Sequence, residues 1–269
     1  VEEDEFCAAD WTFETLKNYY DLPGAKALFT FNKGSTNEIV TTNIVPSTAA
    51  SQTSHALLQM REKRKVFSPA VLHTDTCPHN EKFWKGIFGQ CLQLKLGLFH
   101  LLHRIMDTLD PRSGLCWDCV VKLRNATYRC NFDDEASLIK ALKDGTFSKT
   151  GEKLTDDDIR RLRHSKKWNE RYMSFLRKII LPGPTQKHQL HNWIEEFKDG
   201  VDIAGRPPFT RNTEKIATEQ LKKAHHASDV PGVSMCQETL PGPRWTHGLS
   251  KWKWKRPESP LEAFHAFLA

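Results

Sequence analysis

The sequence predicts an α/β domain on a mixed five-stranded sheet flanked by helices, and three observations carry that expectation. Near the N-terminus, three short runs rich in β-branched and aromatic residues are separated by turn residues, the pattern of an antiparallel meander. Two further apolar runs follow, each trailed by a helix-like segment, as parallel strands joined by helical returns require. Beyond about residue 110 the strand signals fade and helical segments take over.

Residues 6–16 read as the first strand, around Phe6-Cys7-Ala8-Ala9-Asp10-Trp11-Thr12-Phe13. The second, 25–31, follows the Pro23-Gly24 turn, and the third, 38–45, follows Asn32-Lys33-Gly34-Ser35. Residues 51–65 have helical character, with Leu57, Leu58 and Met60 on one side and a basic end suited to a helix C-terminus. A fourth strand ends at Asp75 (Pro69-Ala70-Val71-Leu72-His73-Thr74-Asp75), and a helix over 81–88 leads to a fifth at 92–99. A helix over 100–109 closes this part.

The remainder reads as helices at 115–129, 134–144, 155–180, 186–200 and 212–226, broken by turns such as Leu181-Pro182-Gly183-Pro184 and Arg206-Pro207-Pro208. No period recurs, so a repeat array is not expected. Residues 230–254, with Pro231-Gly232 and Pro241-Gly242-Pro243, read as an extended loop. The chain thus divides into a core at 1–110, a large all-helical insertion at 111–245, and a return at 246–269 carrying the final helix.

Charge narrows the partner. The net +6 is unevenly spread: residues 160–187 hold nine Lys or Arg against one acid, Glu170. A second basic stretch, Lys251-Trp252-Lys253-Trp254-Lys255-Arg256, interleaves rings that can stack on bases with cations that can follow phosphates. Both favour a nucleic acid partner. No run approaches the ~20 apolar residues that cross a bilayer. The opening Val-Glu-Glu-Asp-Glu lacks the features of a secretory leader, so we expect an intracellular protein without a membrane partner. Seven cysteines at irregular spacing argue against a disulfide framework. A first residue other than methionine and a helix-like end at 261–269 lead us to expect a fragment cut close to the site.

Three distant carboxylates then draw attention. Asp10 lies in the first strand, Asp75 ends the fourth, and Glu262 opens the final helix in Ser259-Pro260-Leu261-Glu262-Ala263-Phe264-His265. Two strand aspartates and a helix glutamate can together hold a pair of divalent metals about 3.5–4 Å apart, the arrangement that cuts and joins phosphodiesters. Glu258 competes for the third place, but with Ser259 as N-cap and Pro260 at the first helical position, Glu262 falls in the first turn.

Other motifs read more plainly. His100 and His103 lie one helical turn apart and lack partner ligands at zinc spacing. Cys116-Trp117-Asp118-Cys119 is a single C-x-x-C within a helical segment, where packing outweighs zinc binding with Cys130. In Thr155-Asp156-Asp157-Asp158, a threonine cap with acids near the helix N-terminus outweighs a metal cluster.

Four of these segments together resemble Mutator-like DDE transposases of the RNase H-like superfamily. Asp10-Trp11-Thr12-Phe13 is similar to their first-aspartate strand, and His73-Thr74-Asp75-Thr76 to their second. Leu98-Phe99-His100-Leu101-Leu102-His103 resembles their Cys/Asp-x-x-His segment, with His100 standing where the family has Cys or Asp. Leu261-Glu262-Ala263-Phe264-His265 resembles the helix that bears their glutamate. The likeness spans nearly the whole chain in layout but only these short motifs in residues. It implies an RNase H-like fold, two Mg²⁺ or Mn²⁺ ions on Asp10, Asp75 and Glu262, and His103, with His100, in support near the cut DNA. It also implies transposon-end and target DNA as partners, a possible homo-oligomer, and a nuclear location in a eukaryote. Three alternatives stand beside it: a nuclease without strand transfer, an inactive transposon-derived DNA-binding protein, and a helical scaffold whose basic faces bind acidic proteins.

Overall fold

A computed structural model describes residues 6–12, 25–33, 38–63, 69–147, 151–163, 165, 168, 171–230, 236–239 and 249–254. The chain forms two compact units, the first from 1–127, 182–231 and 256–269, the second from 128–181 and 232–255.

The first unit is built on five strands: β1 (Phe6–Thr12), β2 (Ala27–Lys33), β3 (Ile39–Val45), β4 (Val71–Thr74) and β5 (Gln93–Leu96). They lie in the order β3-β2-β1-β4-β5. The β3-β2-β1 half is antiparallel, as the short connections between its strands demand, and β1-β4-β5 is parallel. This is the mixed α/β sheet predicted from the sequence, and its order and directions are consistent with an RNase H-like fold.

The two faces of the sheet differ in chemistry. Alternation along β1 puts Cys7, Ala9 and Trp11 on one face and Ala8 and Asp10 on the other. Trp11 packs at 5.2 Å from the Phe29 ring and 6.4 Å from Trp84, and Phe88 lies 5.5 Å from Phe31. Trp84 and Phe88 come from α2 (Glu81–Phe88), which buries Trp84, Ile87 and Phe88 as an apolar stripe at i, i+3 and i+4. The opposite face carries polar residues. By register, Asn32 and His73 both flank Ala8, and Thr30 flanks Asp10; all four polar side chains are buried.

Helices complete this unit. A 3₁₀ turn at Ala50–Thr53 leads into α1 (Ser54–Lys63), which packs near β3. After β5 comes α3 (Leu98–Met106), which buries Leu98, Leu101 and Ile105. α4 is Cys116–Asn125, α7 is Gly183–Phe197 and α8 is Thr213–Ala227. α8 packs on α7, on α3 and on β5. The α7–α8 approach is close enough that a Cβ added at Gly183 would stand 2.8 Å from the His225 Cα. The Thr213 hydroxyl donates to the Thr108 carbonyl at 2.6 Å, tying the start of α8 to the chain after α3. Residues 111–127 and 182–231, which the sequence groups with the insertion, therefore belong to the sheet unit.

The second unit contains α5 (Phe132–Lys143), α6 (Asp156–Arg163) and a 3₁₀ turn at Met173–Phe175. Its core joins Leu138, Leu142, Ile159, Trp168, Tyr172 and Phe175. The expectation of an all-helical insertion is corrected here. β6 (Tyr128–Cys130) pairs antiparallel with β7 (Lys178–Ile180), and β8 (Cys236–Thr239) with β9 (Lys251–Trp254). The expected helix over 155–180 is interrupted: α6 ends at Arg163 and Ser165 is a bend, Trp168 and Arg171 are again helical, and the chain is strand by Lys178. Ile179 and Ile180 are β-branched and precede the Pro182-Gly183 break, so strand pairing with β6 wins over continued helix. The start of α6 matches its reading: Thr155 and Asp158 bond reciprocally, Thr155 Oγ1 to Asp158 Oδ2 at 2.6 Å and Asp158 N to Thr155 Oγ1 at 3.2 Å.

Candidate metal centre

Two strand ends define the site. β1 and β4 run parallel with Ala9 opposite Thr74, so Asp10 and Asp75 occupy the next pair of positions, at the C-terminal ends of adjacent central strands. Asp10 is 6% exposed. Such placement follows from the sheet: apolar flanks bury both strands, and the one-residue shift from Trp11 turns Asp10 away from the aromatic face.

The electrostatics are those of two carboxylates forced together. Burial, and then the negative charge of Asp10, hold the Asp75 carboxyl above the usual carboxylate range; His100 and Arg104 pull it back. Both come from α3, four residues apart and so on one face of the helix. Arg104 Nη2 donates to the Asp75 main-chain oxygen at 3.1 Å and stands 3.7 Å from Asp75 Oδ2. Asp75 Oδ1 is buried and accepts no hydrogen bond from any described residue.

That donor set suits a hard divalent cation, which takes carboxylate oxygens and needs no proton on them. Among the described residues, no group of three His, Cys, Asp or Glu side chains is positioned to hold a metal. Glu262 and its competitor Glu258 lie outside the described residues.

A cavity of about 890 Å³ opens beside Asp75. Arg104 of α3 and Asp107 just after that helix line it, with Glu219, Gln220 and Lys223 from α8.

The two histidines separate. His100 is half-buried and its charge acts on Asp75. His103 is about half exposed, and its Nδ1 lies 2.8 Å from Asp107 Oδ2 on the same helix, with its ring 5.1 Å from Phe99. Sequence reasoning did not single out Arg104, although its i+4 spacing from His100 was the available signal.

The basic–aromatic segment falls in the second unit, on β9. The Arg177 guanidinium lies 4.6 Å from the Trp252 ring, and Asp134 holds that guanidinium through bonds of 2.8 and 2.7 Å. Lys251 Nζ stands 5.4 Å from the Phe175 ring, while Lys253 is exposed. One ring face of Trp252 is therefore already stacked on a cation. Trp254 continues the strand opposite Cys236, and Lys255 and Arg256 lie outside the described residues. Cys116 is partly exposed and Cys119 buried, and neither is in a disulfide. Among the described residues no helix is long and apolar enough to cross a membrane.

No protein-family model matches the chain, and no curated protein sequence matches it. Among solved structures, it is similar to a chain of the Drosophila P element transposase strand transfer complex, at 11% identity and a TM-score of 0.24. That likeness covers 83% of this chain and 50% of the other, so this chain spans about half the length of its match. At such identity and score the functional reading rests on the residues themselves.

Proposed function

We propose that this chain is a metal-dependent polynucleotidyl transferase of the transposase type, which cuts DNA and joins it. The observation that supports the reading best is the side-by-side placement of Asp10 and Asp75 at the ends of parallel β1 and β4. Like charges in a buried site cost free energy unless something neutralises them. The raised carboxyl of Asp75 and its unpartnered Oδ1 register that cost.

In this reading Asp10 and Asp75 would hold Mg²⁺ or Mn²⁺, with Glu262 as the third ligand. When bound, such a pair supplies an activated water or DNA 3′-hydroxyl for in-line attack on phosphorus and stabilisation of the leaving oxygen. The chain's own residues prepare the site. Arg104 fixes the main chain at Asp75, and His100 and Arg104 favour its ionised form, which is the form that binds metal. DNA is the partner, and the exposed cation Lys253 of β9 adds attraction for its backbone.

Calorimetric titration of Mn²⁺ into the wild-type chain, Asp10→Asn and Asp75→Asn tests the reading, followed by nicking of plasmid DNA in Mg²⁺ or Mn²⁺. Metal binding and nicking that either substitution abolishes, with the fold intact, are the expected results. Unimpaired nicking by Asp75→Asn would sink the assignment.

A further inference from the structure

We propose that Arg104 is the phosphate-contacting residue of this site, taking a non-bridging oxygen of the DNA phosphodiester held at the carboxylate pair. This rests on the reading above and extends it to a residue outside the DDE set.

Three observations carry it. First, among the described residues Arg104 is anchored at one point: Nη2 donates to the Asp75 main-chain oxygen at 3.1 Å, and the Asp75 carboxylate oxygen, at 3.7 Å, is beyond hydrogen-bonding distance. A guanidinium has five N–H donors, so most of its capacity remains open. Second, the side chain is 35% exposed and lines the cavity beside Asp75, where a strand passing the carboxylates has room. Third, among the described residues the one carboxylate within ion-pair distance of it is that of Asp75, which a divalent ion would neutralise. Once that happens, the guanidinium charge next to Asp75 is uncompensated, and a phosphate is the anion whose geometry its fork matches.

A purely structural arginine would behave otherwise. It would hold the turn after β4, and its loss would lower stability with or without DNA. The cavity's other charges do not supply the contact alone: its other cation, Lys223, shares the lining with Glu219 and Asp107.

The test is DNA affinity by fluorescence anisotropy, using the full chain and a labelled mixed-sequence duplex across a range of salt. Each titration is run in Ca²⁺ and in EDTA, on the wild type, Arg104→Gln and Arg104→Lys. In Ca²⁺, Arg104→Gln should weaken binding and reduce the slope of log K against log salt by about one. In EDTA, where two bare carboxylates repel the phosphate, the same change should have no effect on the slope. Arg104→Lys, which keeps the charge, should retain the wild-type slope in Ca²⁺. A slope that Arg104→Gln leaves unchanged in Ca²⁺, while Ca²⁺ still tightens the wild type, overturns the Arg104 contact and leaves the carboxylate reading standing. Failure of Ca²⁺ to bind the wild type, measured separately by calorimetry, overturns both. If Arg104→Gln melts well below the wild type, the charge-retaining Arg104→Lys decides: a slope loss there as large as in Arg104→Gln also overturns the proposal.

Discussion

Asp10 and Asp75 stand side by side on parallel strands, and the charge of the first helps hold the carboxyl of the second above its ordinary range. Residues 65 positions apart in the chain thus become electrostatic neighbours through one strand pairing. The consequence is a fold that carries an unfavourable charge pair at its centre, which is common where a site is built for a ligand.

The sign of that strain gives the first prediction. Asp75 binds its proton more tightly in the folded than in the unfolded chain, so stability is greatest below the ordinary carboxylate value of 3.8 and declines as pH rises through the raised one. Asp75→Asn removes this penalty. Without metal at neutral pH, the variant should melt a few degrees above the wild type, and the gain should shrink on acidification. Differential scanning calorimetry across pH reads both. With saturating Mn²⁺ the order should invert, because only the wild type gains stability from the ion.

Core packing on the other face supplies the second. Trp84 is fully buried against Trp11 and Phe88. Trp84→Ala leaves a cavity beneath the strand that carries Asp10, at a cost of about 3–5 kcal/mol. Urea unfolding should show a lower midpoint, and Mn²⁺ affinity should fall with it even though no ligand has changed.

Much of this was legible in the chain. The meander, the two parallel strands and the helices after them follow from runs such as Glu38 to Val45 and from the turns between them. The short strands β6 to β9 were not legible. Tyr128-Arg129-Cys130 and Lys178-Ile179-Ile180 are too short to show a period, and their pairing joins segments far apart in sequence. Nor did periodicity reveal that α7 and α8 pack in the sheet unit: an amphipathic stripe states that a helix is buried, not against what. The buried Thr30 and His73 were visible as polar residues inside apolar runs, while Asn32 read as the start of a turn and instead lies in β2; only register shows that all three share Asp10's face.

The α7–α8 contact yields the third prediction. Gly183 lies where an added Cβ would meet the His225 main chain at 2.8 Å, and neither helix backbone moves cheaply. Gly183→Ala should destabilise by about 1–3 kcal/mol through overpacking. A matched Thr185→Ala control in the same helix should change stability far less. Equal effects from the two would show that the helices separate to admit the methyl group.

The last prediction separates the two histidines. His100 acts on Asp75 from the face of α3 that also carries Arg104, whereas His103 is engaged by Asp107 at 2.8 Å and half exposed. Loss of His100 removes a positive influence that favours the metal-binding form of Asp75. His100→Ala should therefore weaken Mn²⁺ binding and shift its pH dependence upward, since Asp75 then keeps its proton to higher pH. His103→Ala deletes a surface contact with Asp107 and should leave the Mn²⁺ isotherm unchanged. Calorimetric titrations at several pH values compare the two directly. A larger loss in His103→Ala than in His100→Ala would mean that α3 turns its other face to the carboxylates when metal is bound.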